Sequence, residues 1–541
     1  MNIKYLAPLA AAALVAGWGG GESNASLHET PAAFASQSNA ATPAGGGDPK
    51  TVDMAALLKA LGGAGANPST GPVINVADYG AKGDGTTDDT AAIQKALNHA
   101  SARQGTVVFP QGDFLTGALF VKSNTTLRID EGVTLRAIQT DTSWPKVSAA
   151  YPQIQTRVQG IEMQWVAAII NIDHSENVTI TGNGTIDGQG QAWWDHYYLV
   201  AKPQHDKDEI GWALNYDEER PRTIESFESK NVTIKDVTLR NSPFWTVHLA
   251  YTDGAHVDGV KIRNLMNASG RMPSTDGVDI DSSRNVLVEN ADIQANDDAL
   301  VIKSGRDGDG LRVNRPSENI LIRNSLVTAG AAGFTIGSET SGGVRNVEVY
   351  NLDVKPMVAQ YNSNIGYKAG GPTVFSGFIF KSAPTRGGTM EDVYVHNVNI
   401  EGAYYLLRAE QNWGSTNTIP AGYPAEKVPP FWSAIMEMPA TPEAGIPHFR
   451  NFTFKNIKMA SVESKVFDVS ATAGSSYENF TFKNIDVNAT SSKGTTVSGG
   501  SIRNAQNWTF INSSVHDAQG NPVGVSLDAA TTSGVTGLSG W

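Results

Sequence analysis

Two aspartates stand side by side, Asp297 and Asp298, in the stretch NDDALVIKSGRDGDG (296–310), and a third, Asp276, lies a little upstream in STDGVDID (274–281). Neighbouring carboxylates repel, and crowding splits their pKa values, leaving one protonated and the others ionised. An acid beside a base is the equipment of glycoside hydrolysis: one group protonates the leaving oxygen and the other activates water. On a strand, adjacent side chains point to opposite faces, so the pair can share a cleft only where the strand ends or bends. Regular alternation resumes only at ALVIK (299–303), which puts the pair at such an edge. The competing reading is that these residues cap turns, and for Asp279 and Asp281 a turn or ladder role is expected.

The elements that would position them repeat. A polar residue, often Asn, followed by alternating apolar residues recurs as ENVTI (176–180), KNVTI (230–234), RNVLV (284–288), ENILI (318–322), RNVEV (345–349), EDVYV (391–395), RNFTF (450–454), ENFTF (478–482) and QNWTF (506–510). Several spacings are 27 or 28 residues and two are 54, with AHVDGVKI (255–262) midway through one of the long ones. A fixed period of this size means a stacked solenoid, and the period-2 runs between turn residues mean strands. The expected fold is all-β, a right-handed parallel β-helix, with Asn at an internal ladder or a left-handed corner of each coil. Stacked coils would bring Asp276 onto the surface that carries Asp297 and Asp298.

An open solenoid end needs a cover. DYGAKGDGTTDDTAAIQKALNHA (78–100) supplies a turn-rich loop and then an amphipathic helix, N-capped by Asp88 or Asp89. Upstream, MNIKYLAPLAAAALVAG reads as a secretory signal (1–18), too short for an ordinary membrane span. The Gly-, Ala-, Ser-, Thr- and Pro-rich residues 19–72 read as a flexible linker, with a short helix in DMAALLKALGG (53–63). The β-helix is expected over 73–517 and a C-terminal tail over 518–541. The expectation is a secreted or periplasmic monomer. With 541 residues, 40% hydrophobic and 18% charged, the chain can bury a large core, and its net charge of −13 argues against a nucleic-acid partner. There are no cysteines, hence no disulfide frame.

Taken together, VADYGAKGDGTTDDTAAIQKAL, FLTGALFVKSNTTLRIDEGVTL (114–135), GTIDGQGQAWW (184–194), STDGVDIDSSRNV (274–286), NDDALVIKSGRDGDG and GFTIGSETSGGVRNV (333–347) resemble glycoside hydrolase family 28, the polygalacturonases, in particular their bacterial exo-acting members. The resemblance spans roughly 73–517 and implies an inverting, cofactor-free and metal-free hydrolase of α-1,4-galacturonosyl linkages in pectic cell-wall polysaccharide. By resemblance Asp297 is the general acid, while Asp276 and Asp298 position and deprotonate water. Inversion implies roughly 6.5–9.5 Å between acid and base carboxyls. Two family motifs are altered. The position of the family's His falls on Ala331, and of its Arg and Lys only Lys381 is kept, Ile379 standing where the Arg would be. That Arg and Lys hold a substrate carboxylate, and Lys alone cannot copy the bidentate geometry. Simple degeneration of the site predicts that Ala331→His with Ile379→Arg raises activity on polygalacturonate.

Further substrate contacts are expected from Lys303, which matches the family stretch directly, and from Arg306 and Arg222. Arg312 and Arg386 are weaker cationic candidates. His248 would replace the missing His unless it is a packed structural residue. Trp193, Trp194, Trp245 and Trp413 are candidate sugar platforms. Three rivals stand. A rhamnogalacturonan- or substituted-galacturonan-directed hydrolase would keep the carboxylates. A Ca²⁺-dependent lyase would use them as a metal cluster. A non-catalytic carbohydrate-binding β-helix would leave them idle.

Overall fold

In the computed structural model, residues 49, 51–61, 70–139, 150–264, 272–363, 365–414 and 417–538 are described. The expected signal sequence 1–18 lies outside them. Short strands stack in parallel register from Val73–Asn75 to Ser526–Leu527, each pairing with its counterpart one coil on, as in Thr453↔Thr481↔Thr509. The chain is therefore the parallel β-helix that its repeats predict. Inward positions are apolar, and where the repeat carries aromatics they stack ring on ring: Phe452–Phe480–Trp508 at 4.7 and 4.8 Å, Phe454–Phe482–Phe510 at 4.9 and 4.8 Å. Each buried ring contributes about 1.5–3 kcal/mol.

The repeated asparagine forms both a corner and a ladder. Asn177, Asn231, Asn285, Asn319, Asn346, Asn451, Asn479 and Asn507 all have positive φ. Their amides hydrogen-bond from coil to coil, Asn346 to Asn319 at 2.7 Å and Asn479 to Asn451 at 3.0 Å. The ladder runs along half-exposed and exposed corners rather than inside. One 54-residue spacing is a single coil, since Asn231 bonds directly to Asn177. The excess length is an inserted helical segment holding Gln191–His196, Lys202–Lys207 and Leu214–Asp217. The other is two coils, with Asp253 accepting from Asn285 between them.

The helix Thr90–Ser101 covers the N-terminal end with Ile93, Ala96, Leu97 and Ala100 fully buried. Asp88 accepts from Thr90 N at 2.9 Å, while Asp89 instead ties the preceding loop through Lys82 N and Gly83 N. Residues 51–61 of the expected linker are docked, not free. Asp53 caps the helix Met54–Ala60, Leu57 packs on Leu287 and Leu321, and Val52 N bonds Glu348. The solenoid also runs past 517: Ser526–Leu527 pairs with Ser498–Ile502, and Ser533 and Thr536 bridge to Gln506 and Thr509. This last coil is held by backbone pairing, by Thr531 and Thr532 hydroxyls bonded to Asn504 N and Ile502 O, and by Val525, Val535 and Leu538 packed on the core, but it lacks the apolar alternation that marks the others. No helix among the described residues is long and apolar enough to cross a membrane.

Candidate active site

The candidate residues converge on the outer face of one sheet. Its strands Ile224–Phe227, Val247–Ala250, Val278–Asp281, Leu300–Lys303, Val374–Lys381 and Tyr405–Glu410 send alternate side chains inward to the core. The outward ones align across coils as Glu225, His248, Asp279, Val301, Thr335, Ile379 and Arg408. Just before Leu300 the chain bends at Asn296 and Asp297, and this bend lets Asp297 and Asp298 share one site. Gly277 N donates to Asp298 O at 2.8 Å, so Asp276 and Asp298 sit at matched places on neighbouring coils. One oxygen from each of Asp276, Asp297 and Asp298 lies within 4.8 Å of the others. That is closer than the roughly 6.5–9.5 Å expected for an inverting pair. Coil spacing in a parallel sheet is about 4.7–4.9 Å, which sets the approach of Asp276 to Asp298, whereas Asp297 and Asp298 are close because they are neighbours in one bend.

The three differ in surroundings. Asp298 is 1% exposed, with Lys381 Nζ at 2.7 Å from Oδ2 and Thr335 Oγ1 donating to Oδ1 at 3.1 Å. Asp297 is half-buried and accepts only from Asp298 N, at 3.0 Å, among the described residues. Burial, then the charge of Asp298, pushes Asp297 up to about 6. Burial, Asp279 and Asp297 push Asp276 well above the ordinary carboxyl range. Asp298 is thus paired with the Lys381 ammonium, while Asp297, with its raised value, is the member of the trio that reaches solvent.

Lys303 is in the cluster but is not a free substrate contact. Its Nζ lies 3.3 Å from Glu339, 3.7 Å from Asp279, 3.8 Å from Asp276 and 3.9 Å from Asp298, and 4.9 Å from the Trp245 ring centre. Its ammonium borders the trio on the side of Asp276 and Asp298. Despite its burial, these carboxylates hold Lys303 well above its usual value. Burial opposes the ionised form of Glu339, yet Lys303 and Arg386 hold it down to about 2. Asp279, expected in a turn or ladder, is a buried strand residue pushed up to about 7 by burial, against the pull of Lys303. Glu339 and Thr335 escaped sequence reading; GFTIGSE marks their segment but not which residues turn outward.

Other candidates go elsewhere. Arg222 is fully buried, bonding Arg157 O at 2.6 Å and pairing with Glu225 at 3.1 Å, so it is not open to substrate. Arg306 bonds Asp307, Tyr216 Oη and Asn417 and anchors a wall beside the site. Arg386 holds Ser338, and Arg312 bridges Glu162 and Asp309 near the surface. His248 is packed, between Glu225 at 3.1 Å and Asp281 at 3.5 Å, and does not face the trio. Trp193, Trp194 and Trp245 are core, Trp245 stacked on Phe244; Trp413 is half-buried with Lys381 Nζ 4.8 Å from its ring centre.

The altered positions are adjacent to the chemistry. Ala331 N bonds Asp297 O at 2.8 Å, and Ile379 pairs with Thr335. Ala331, Ala332 and Ile379 form a small apolar cluster under Ile365 and Phe375, with Ile379 only 2% exposed. Ile379→Arg therefore buries an unpaired guanidinium rather than restoring a contact. The expected outcome is destabilisation by about 3 kcal/mol, read as a lower denaturant midpoint, with no gain of activity. A variant as stable as the parent would contradict it.

The groove is closed on one side. Thr156 of the hairpin Gln153–Val158 and Ile161–Val166 donates to Glu225, and Arg157 binds Asp281 at 3.0 Å and Ser282 at 2.6 Å. Glu225, His248, Asp279 and Asp281 are at most 1% exposed beneath this cover. The helical insertion meets the segment 417–447 beside it, Trp432 Nε1 bonding Asp217 at 2.7 Å and Trp212 Nε1 bonding Thr418 O at 2.8 Å. Toward the C-terminal coils, the side chains of Arg408 and Asp468 are 26% and 35% exposed.

Residues 100–368 match the family described as glycosyl hydrolases family 28. The chain is 29% identical to a probable polygalacturonase of Vitis vinifera over 57% of this chain and 55% of that protein. It is 30% identical to an endo-polygalacturonase of Pectobacterium carotovorum over 53% of this chain and 62% of that one. It thus spans a little over half the length of these curated relatives. The crystal structure of a hyperthermoactive exopolygalacturonase from Thermotoga maritima superposes with a TM-score of 0.59 at 23% identity, over 88% of this chain and 95% of that one, which shows a shared fold.

Proposed function

Because the chain belongs to glycosyl hydrolase family 28 over residues 100–368, we propose that it hydrolyses α-1,4-galacturonosyl linkages of pectic polysaccharide from a chain end. The observation that carries the hydrolytic reading is the carboxylate trio, one member protonatable and solvent-facing, another paired with Lys381. Asp297 delivers its proton to the glycosidic oxygen as that bond breaks. Water adds to the anomeric carbon and passes a proton to the Asp298 carboxylate, with Asp276 beside it. Chain-end action is supported by the covered groove: a polymer cannot run past Asp279 beneath Thr156 and Arg157. A substrate with a neutral sugar near the bond, as in rhamnogalacturonan, is favoured by the apolar Ala331–Ile379 cluster and is the second reading.

A proton NMR time course with polygalacturonate, run beside rhamnogalacturonan, tests this. Saturated galacturonate or its dimer should appear first, as the β-anomer if the reaction inverts. The short carboxylate spacing makes an initial α-anomer, hence retention, the informative alternative. A ladder of mid-sized fragments would refute chain-end action, and products from rhamnogalacturonan alone would reassign the substrate.

A further inference from the structure

The position that would hold a substrate carboxylate is Ile379, and it is paved over rather than empty. Its side chain lies under Phe375 and Ile365. The next outward residue in the same row is Arg408, paired in register with Ile379 one coil further along. Parallel-sheet spacing puts that backbone about 4.8 Å from the Ile379 backbone, on the open side of the groove. The Arg408 guanidinium lies 5.6 Å from the Phe375 ring centre and 5.4 Å from that of Trp413. Lys381, which touches Asp298, is 4.8 Å from the same indole. Trp413 is thus a half-buried aromatic plate with two cations within 4.8 and 5.4 Å of its ring centre, and one of these cations reaches the candidate base.

We propose that Arg408 is the specificity determinant that binds the carboxylate of a galacturonate unit lying against Trp413, on the open side of the scissile bond. It rests on the galacturonan reading above. A sugar ring stacks on the indole while its carboxylate meets a guanidinium that offers five N–H donors in a planar fork. Glu410 accepts from one Nη at 2.9 Å and orients the fork. The covered Ile379 then costs the enzyme nothing in carboxylate recognition, because the function has moved one coil along the axis.

The test compares free-acid and fully methyl-esterified oligogalacturonides of one length, with the parent, Arg408→Gln and Arg408→Lys. The parent should prefer the free acid, and Arg408→Gln should cut the ratio of kcat/KM, free acid over ester, by about tenfold, as loss of a charged hydrogen bond implies. Arg408→Lys should recover part of the ratio, since it keeps the charge but not the fork. Calorimetric binding of the free-acid oligomer to Asp297→Asn with and without Arg408→Gln should show the same weakening without turnover. An unchanged ratio and unchanged binding in an active protein overturn the assignment of Arg408 and leave the galacturonan reading standing. A parent that turns over and binds neither oligomer overturns both.

Discussion

Asp297→Asn lowers hydrolysis by a factor of about 10²–10⁴, the range a general acid contributes. Asn has the same shape and can still accept from Asp298 N, as Asp297 does at 3.0 Å, so the bend before Leu300 is kept. What is lost is the proton. The pH profile makes the assignment specific. Burial, then Asp298, raises Asp297 to about 6, so its acid form is depleted above that pH and kcat/KM of the parent falls there. The residual rate of the variant should lose that limb and run flat through pH 6. Rates measured from pH 4 to 8 with one oligogalacturonide decide it. Activity within a factor of about two of the parent, or a retained fall above pH 6, would remove Asp297 from the acid role. In the parent the limb carries the coupling of Asp297 to its neighbouring carboxylates, and it is the loss of the limb in Asp297→Asn that assigns it.

Lys303→Met has the largest expected effect on stability. Its ammonium is 3.3–3.9 Å from Glu339, Asp279, Asp276 and Asp298, all of them buried. Met fills a similar volume and leaves those charges without their central partner, which costs about 3–5 kcal/mol when a buried pair is broken. The pH dependence follows from the signs. Asp276 and Asp279 already have raised values in the folded state, so the stability tied to their protonated forms is full at low pH and is lost as pH rises toward 7. Removing Lys303 raises them further. Glu339, held down to about 2 with Lys303 as the main attraction, loses its stabilising contribution at neutral pH as well. Denaturant midpoints at pH 5 and pH 8 should therefore show a deficit that is larger at pH 8. An equal deficit at both, or one below about 1 kcal/mol, would mean that Lys303 does not organise the cluster. A solvated pair such as Lys202–Asp206, with both side chains about half exposed, should cost at most about 0.5 kcal/mol when broken.

The sequence by itself determined the repeat and hence the fold. A fixed Asn corner and period-2 apolar runs are local signals, and stacking identical coils is the way they bury a continuous core. It also determined that Asp276, Asp297 and Asp298 fall on one face, because in-register coils place residues of matched position side by side. A short helix was expected within 53–63 and lies at 54–60, but its Asp53 cap and its docking on Leu287 and Leu321, which are far away in the chain, came only from the structure.

Tertiary structure decided what depends on which coil lies beside which. The two 54-residue spacings look alike in sequence, yet one is a single coil with an insertion and the other is two. Arg222 and Lys303 are both cations in strand-like runs; only packing shows the first sealed under Arg157 and the second at the centre of four carboxylates. The carboxylate spacing, the covered end of the groove and the neighbouring of Ile379 with Arg408 are likewise set by coil stacking and by loops that fold back over the sheet. The physical reason is common to them. Strand patterning is written in neighbouring residues, whereas burial and polar pairing are written in distances between residues up to 296 positions apart, as between Val52 and Glu348.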